Sequence, residues 1–121
     1  MPFPIMLTFD LDAESAALAS DPANATRPGV LSMGQYGPKV GVQRILDLLA
    51  AEGIPATFFV PGWVIEKYPA QIDLLQKNGH EIALHGYLHE RSNEIDKDDE
   101  LYWLGRGLDA YRKQVGRGPR G

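Results

Sequence analysis

The chain has 121 residues, of which 44% are hydrophobic and 23% are charged, a composition typical of one small globular domain with a single core. Its formal net charge of −4 argues against a nucleic-acid partner. No apolar run reaches the roughly eighteen residues that cross a membrane, and the first residues lack the basic stretch of a secretory signal. We therefore expect a cytoplasmic protein without nucleic-acid or membrane partners. The chain has no cysteine, so any metal ligands must be His, Asp or Glu.

The first half of the chain predicts two strands separated by a loop and a helix. Residues 4–12 are a short apolar run that ends in "DLD" and predict a buried strand. Residues 20–39 are rich in Pro, Gly, Ser and Asn and predict a long loop. Residues 40–53 have apolar side chains at helical spacing and end in Gly53, which suits a helix stop. Residues 54–62, "IPATFFVPG", predict a second strand.

The second half repeats this order of elements. A helical stretch begins at Trp63, restarts at Pro69 and stops at Gly79, and residues 80–85 predict a third strand. Residues 96–116 predict a helix with acidic residues in its first turn and basic residues in its last. Its predicted buried stripe consists of Leu101, Leu104, Leu108, Tyr111 and Val115. Strands that alternate with helices predict a parallel sheet joined by right-handed crossovers.

All three histidines of the chain, His80, His85 and His89, fall within eleven residues. His85 and His89 are four residues apart, so a helical turn would place both imidazoles on one face, within reach of one metal ion. Two surface histidines would show the same spacing. His80 lies at the start of the third strand, at the opposite edge of the sheet from the other two, and we interpret it as structural, with hydrogen bonds to the loop.

Two carboxylates, Asp10 and Asp12, end the first strand. Alternation along a strand points both to the same face, where they repel each other unless a cation or a proton intervenes. Turn or N-cap positions would also suit them. Parallel sheets bring the carboxyl ends of their strands to one edge, so we expect both carboxylates to meet His85 and His89. Two histidines and one carboxylate form a common catalytic Zn²⁺ or Fe²⁺ site, and the second carboxylate can then act as a base.

The segments "TFDLDAE" and "GHEIALHGYLH", with "YGPKVGVQRILDLLAAEGIPATFFVPGWV" between them, resemble the first two motifs of the polysaccharide deacetylase family (NodB homology domain, carbohydrate esterase family 4). The D-x-D spacing is similar to that of a subgroup with intracellular peptidoglycan deacetylase-like and allantoinase-like members. The resemblance implies that residues 1–121 form the N-terminal half of a distorted TIM-like (β/α) barrel and stop before the third family motif. The open edge of the third strand then predicts a homo-oligomer, which a clean monomer in sedimentation at high concentration would exclude.

The same resemblance implies a metal-dependent hydrolase that removes N-acetyl groups from an amino sugar, with an N-acetylated sugar or a small amide as substrate. Asp12, His85 and His89 match the metal ligands of the family, and Asp10 matches the general base that activates water. The metal is expected to be Zn²⁺, and Co²⁺, Fe²⁺ and Mn²⁺ suit the same ligands. Tyr36 and Trp63 lie where loops line the family's groove, so they are candidates for substrate contact, and a rim or core role suits them equally.

Two alternatives remain open from the sequence. The first is a metal-independent hydrolase of cyclic amides, similar to the allantoinases, although the D-x-D and H-x-x-x-H motifs supply a complete ligand set. The second is a non-enzymatic remnant that binds only a metal or a partner. The family's later strands and its downstream general-acid histidine lie outside these 121 residues, which favours the remnant for this chain.

Overall fold

A computed structural model describes residues 3–121 as an α/β structure with parallel strands. No helix in this range is long and apolar enough to span a membrane. A 3-10 helix at Pro22–Thr26 and a π-helical turn at Gly37–Gly41 accompany the main elements. These main elements are β1 (Thr8–Asp10), α1 (Ser15–Ser20), α2 (Pro28–Gly34), α3 (Val42–Glu52), β2 (Thr57–Val60), α4 (Gly62–Lys67), α5 (Pro69–Lys77), β3 (Glu81–Leu84) and α6 (Lys97–Val115).

The three strands form one parallel sheet in the order β1-β2-β3, so strands that follow each other in the chain are hydrogen-bonded neighbours. The register pairs Phe9 with Phe58, and Phe58 with Ile82. Because the strands are parallel, all three end on the same side of the sheet, which we call the carboxyl edge. The opposite side, where the strands begin, is the amino edge. The predicted alternation of strands and crossover helices is confirmed.

The hydrophobic core lies between the central strand and the helices that cover it. Phe58 and Val60 of β2 are almost completely buried. Complete burial of an aliphatic or aromatic side chain contributes about 1.5–3 kcal/mol, so this cluster is a main source of stability. The helical members of the cluster are Val42, Leu46, Leu49, Val64, Ile65, Ile72, Leu75 and Tyr111.

The long loop predicted over residues 20–39 is wrong, because the structure has short helices there. Pro22 and Pro28 each occupy the first position of a helix, where proline's missing N–H costs nothing. Asp21 accepts a hydrogen bond from the backbone N–H of Ala23 and caps the 3-10 helix. The prolines that predicted a loop thus start helices instead.

Helix α6 has the predicted ends but a different buried face. Its N-cap is Asp96, and it stops at Gly116, which has a φ of 79°. Leu101 and Leu104 of the predicted stripe are 58% and 46% exposed. The residues of α6 that are buried are Gly107, Ala110 and Tyr111. The stripe prediction was therefore wrong for Leu101 and Leu104, and the first buried residue of the helix is Gly107, which packs against Gly86.

Candidate metal centre

The carboxyl edge brings together three of the four residues that the sequence places in the site core. Nε2 of His85 lies 3.8 Å from Oδ1 of Asp12, and Nε2 of His89 lies 3.6 Å from Oδ2 of the same carboxylate. One ligand atom from each side chain lies within 4.8 Å of the other two. The expected meeting of Asp12 with the two histidines therefore occurs, whereas their role as metal ligands stays a prediction.

The two histidines reach one point through a left-handed turn. His85 follows β3 directly, and its N–H donates to the carbonyl of Val60 at 3.1 Å. Gly86 has a φ of 66° and His89 a φ of 63°, so the prediction of a helical turn was wrong. The two imidazole rings still lie 4.9 Å apart, nearly perpendicular to each other. A φ of this sign is unfavourable for histidine, so the surrounding contacts must hold this backbone in place.

Glu90 provides one of these contacts. Its Oε2 accepts a hydrogen bond from the N–H of Tyr87 at 3.0 Å, and its Oε1 accepts one from the N–H of Leu88 at 2.6 Å. These two backbone groups lie between the two histidines. A single carboxylate thus satisfies two consecutive donors of the turn and fixes the separation of the histidines that flank it.

Two helices fix the same turn from the core side. The N–H groups of Gly62 and Trp63 donate to the carbonyls of Gly86 and Tyr87, at 3.0 and 2.8 Å. Gly107 of α6 lies so close that a β-carbon there would be 2.8 Å from the carbonyl oxygen of Gly86. Any side chain at this position of α6 would therefore displace the turn.

Tyr87 connects this turn to the surfaces of α4 and α6. Its hydroxyl donates to Oε2 of Glu66 at 2.8 Å and accepts from Nη2 of Arg106 at 2.8 Å. Its ring stacks on Trp103 with 5.6 Å between the centroids. Burial raises the pKa of Tyr87, and the hydrogen bond to Glu66 raises it further, although Arg106 acts in the opposite direction. Tyr87 is therefore a neutral hydroxyl near pH 7 and has a packing role.

The chemistry of Asp12 decides whether these residues fit a cation. Oδ1 of Asp12 is buried and accepts no hydrogen bond from any residue between 3 and 121. A buried carboxylate oxygen without a partner is costly, and in native proteins such an atom marks a strained or catalytic group or the place of a bound water or ion. Two imidazole nitrogens and one carboxylate are the donor set of many catalytic Zn²⁺ sites. The residues therefore fit a divalent cation.

Asp10 is placed differently from the other three predicted residues. It is the last residue of β1, its side chain is exposed, and it is not part of the three-residue cluster. The strand predicted over residues 4–12 is shorter in the structure, so strand alternation does not extend to Asp12. The expectation that both carboxylates share a face therefore loses its basis, and the role of Asp10 as base stays a prediction.

The two aromatic residues proposed for substrate contact lie in different environments. Tyr36 precedes the π-helical turn, is 53% exposed and accepts a hydrogen bond from Nη1 of Arg44 at 3.0 Å. Trp63 is half-buried against the hydrophobic core, and Nζ of Lys67 lies 4.5 Å from the centroid of its ring. The structure therefore favours the core alternative for Trp63, whereas the ring of Tyr36 remains accessible.

Residues 23–121 match the family model for polysaccharide deacetylase. The chain belongs to the polysaccharide deacetylase family. The predicted membership of this family is thereby confirmed, whereas the similarity of the D-x-D spacing to one subgroup stays a prediction.

Individual relatives of this chain agree with the family assignment. A peptidoglycan deacetylase of Helicobacter pylori is 31% identical over 112 residues, which is 93% of this chain and 38% of the relative. A solved Mycobacterium smegmatis protein assigned to the polysaccharide deacetylases superposes with a TM-score of 0.90 at 43% identity, over 98% of this chain and 44% of that one. The allantoinase PuuE superposes with a TM-score of 0.81 at 22% identity, over 94% of this chain and 43% of that one, and shows the fold alone.

These comparisons define how much of the fold is present. The chain spans less than half the length of each of these three proteins. Its structural neighbours are TIM-like barrel domains of the deacetylase family, so its three parallel strands form part of such a barrel. The predicted partial (β/α) barrel is confirmed.

Sequence reasoning missed two acidic residues next to the deacetylase motifs, Glu14 and Glu90. Each follows a predicted ligand within two positions, and this proximity was the signal available in the sequence. Burial raises the pKa of Glu14, but hydrogen bonds from Lys67 and Tyr68 lower it more, so the net pKa lies below its usual value. Glu14 is therefore an ionised buried carboxylate at neutral pH.

Proposed function

We propose that this chain binds a divalent cation through Asp12, His85 and His89 and takes part in hydrolysis of the N-acetyl group of an amino-sugar substrate. The observation that carries the proposal is Oδ1 of Asp12, a buried oxygen that faces an imidazole and has no hydrogen-bond donor among residues 3–121. Membership of the polysaccharide deacetylase family supports the reaction class, and the Helicobacter pylori relative is a peptidoglycan deacetylase. Zn²⁺ is our first choice, and Co²⁺, Fe²⁺ and Mn²⁺ suit the same donors.

The three side chains can bind a cation when both imidazoles are neutral and the carboxylate of Asp12 is ionised. Each histidine offers the lone pair of Nε2, and the carboxylate of Asp12 supplies the negative charge that retains a dication. When bound, the cation supplies Lewis acidity toward the amide carbonyl and lowers the pKa of water. The half-exposed histidines leave the site open to solvent on one side, where a substrate can approach.

Asp10 is the proposed general base. Its carboxylate is exposed at the end of β1 and is free to accept a proton from the water that attacks the carbonyl carbon. Cleavage of the C–N bond, with transfer of this proton from Asp10 to the leaving nitrogen, then yields acetate and the free amine of the sugar. Asp12 belongs to the cluster with the two imidazoles and Asp10 does not, which is the reason for assigning different roles to Asp10 and Asp12.

The experiment is an assay for acetate release with the purified chain, using N-acetylated chitooligosaccharides and peptidoglycan fragments in the presence of Zn²⁺. We expect release by the wild type, no release by Asp12→Ala, and a loss of at least about 100-fold for Asp10→Asn with Zn²⁺ binding intact. A wild-type chain that binds Zn²⁺ but releases no acetate would support a binding role alone. Release that persists undiminished in a chelator would support a metal-independent hydrolase.

A further inference from the structure

Glu14 is a buried carboxylate whose partners come from a distant part of the chain. Its side chain is 0% exposed. The hydroxyl of Tyr68 donates to its two oxygens at 2.8 and 2.9 Å, and Nζ of Lys67 lies 3.0 Å from Oε1. Lys67 ends α4 and Tyr68 precedes α5. A buried charge is costly unless it is fully paired, so this arrangement requires an account beyond core packing.

The backbone next to Glu14 has an unfavourable conformation. Ala13 has a φ of 49°, in the left-handed region that disfavours residues other than glycine. The turn closes by hydrogen bonds from the N–H and the hydroxyl of Ser15 to the carbonyl of Asp12, at 3.0 and 2.7 Å. On its other side, a β-carbon at Gly34 would lie 2.7 Å from the carbonyl oxygen of Ala13. Such strain persists only where the surroundings hold it.

We propose that Glu14 is a positioning residue for Asp12. The turn is held between two surfaces: the backbone of α2 presses on Ala13 from one side, and Tyr68 and Lys67 hold the carboxylate on the other. With both contacts in place, Ala13 keeps its left-handed conformation, and the Asp12 carboxylate stays aimed at the two imidazoles. Glu14 thereby connects the α4–α5 junction to the metal centre without contacting the centre itself.

A measurement without metal tests the turn directly. In the metal-free full chain, hydrogen exchange of the Ser15 amide reports the turn, and the Glu81 amide, bonded to the carbonyl of Ala56, reports the amino edge. We expect Glu14→Gln and Tyr68→Phe to accelerate exchange at Ser15 at least about 10-fold relative to the change at Glu81. Tyr68→Phe retains the carboxylate and the Lys67 pair, so it decides the question if Glu14→Gln does not fold.

A second measurement, which rests on the proposed function, is calorimetric titration with Zn²⁺ alone. Groups that orient metal ligands typically contribute about 10- to 100-fold to metal affinity, and we expect a loss in this range for Glu14→Gln and a smaller loss for Tyr68→Phe. The matched control is Asp73→Asn on α5, which removes an exposed carboxylate that accepts from Gln114 at 2.6 Å. Its Kd should stay within about twofold of the wild-type value.

The outcomes separate this proposal from the proposed function. Equal acceleration at Ser15 and Glu81 with an unchanged Kd would show that Glu14 only stabilises the fold, and would overturn the positioning role. Wild-type exchange at Ser15 in both variants would overturn it as well. A wild-type chain that binds no Zn²⁺ would contradict the proposed function, while the exchange data would still decide whether Glu14 holds the turn.

Discussion

The polar side chains at the two edges of the sheet differ in their hydrogen bonding. At the amino edge, Nδ1 of His80 accepts a hydrogen bond from the N–H of Ala56 at 3.3 Å, and Thr57 donates to Glu81 at 2.8 Å. At the carboxyl edge, Oδ1 of Asp12 lacks any donor among the described residues, and the imidazoles around it lie beyond hydrogen-bond distance. The protein itself supplies the partners at the amino edge, whereas Oδ1 of Asp12 at the carboxyl edge has no partner among residues 3–121, as the proposed metal site requires.

Backbone strain follows the same division. Within residues 3–121, Ala13 and His89 are the residues other than glycine that have a positive φ, and both belong to turns at the carboxyl edge. Strained backbone and an unpaired carboxylate oxygen lower the stability of the fold and are tolerated where function requires them. We therefore expect substitutions at the carboxyl edge to weaken metal binding, and substitutions at the amino edge to lower the stability of the fold.

The largest expected effect is that of Asp12→Ala. Loss of the carboxylate should weaken Zn²⁺ binding at least about 100-fold, because it removes the anionic member of the ligand set. The same change should raise the free energy of unfolding of the metal-free chain by about 1 kcal/mol, since a buried oxygen without a partner disappears. Calorimetry and urea denaturation in a chelator measure the two effects. A metal-free variant less stable than the wild type would show that this carboxylate has a structural role.

Alanine substitutions of one histidine at each edge test the comparison further. His80→Ala should lower the free energy of unfolding by about 1–2 kcal/mol, because it leaves the N–H of Ala56 unpaired and removes a ring that packs on Phe58. Its Kd for Zn²⁺ should stay at the wild-type value. His85→Ala is the matched control and should show the reverse, with loss of Zn²⁺ binding and a stability change below about 0.5 kcal/mol. Weaker Zn²⁺ binding in His80→Ala would contradict the division between the edges.

The sequence was sufficient to predict where the site lies, because the rule involved is topological. Parallel strands end on one side, so "DLD" and "HGYLH" were expected at the same edge, where the structure places them on either side of β2. The backbone that carries the ligands was not predictable in the same way. The left-handed φ of His89 depends on contacts from Glu90, α4 and α6, which spacing along the chain does not report.

Two other differences have the same physical origin. Leu101 and Leu104 have the spacing of a buried stripe, but close approach of α6 to Gly86 requires Gly107 on the buried face. Glu14 pairs with Tyr68, 54 residues further along the chain, and no local pattern reports such a pair. Periodicity describes one element at a time, whereas these features depend on how closely two elements approach each other.

The smallest expected effect concerns Tyr111, which supports β3 by donating from its buried hydroxyl to the carbonyl of Ile82 at 2.8 Å. Burial raises the pKa of Tyr111 above its usual value. The folded chain therefore keeps this proton where the unfolded chain releases it. The stabilisation is complete below about pH 10 and is lost as the pH rises toward the folded-state pKa.

Tyr111→Phe should consequently be about 1 kcal/mol less stable than the wild type at pH 8, because the hydrogen bond is lost. The difference between the two proteins should shrink as the pH rises above about 10, since the variant lacks the group that titrates. Urea denaturation at pH 8, 10 and 11 measures this difference, and all other tyrosines cancel in the comparison. A difference in the free energy of unfolding that stays constant across this range would mean that the fold does not hold the proton of Tyr111. Tyr111→Phe should also bind Zn²⁺ with the wild-type affinity at pH 8, because support of the sheet and metal binding are separate.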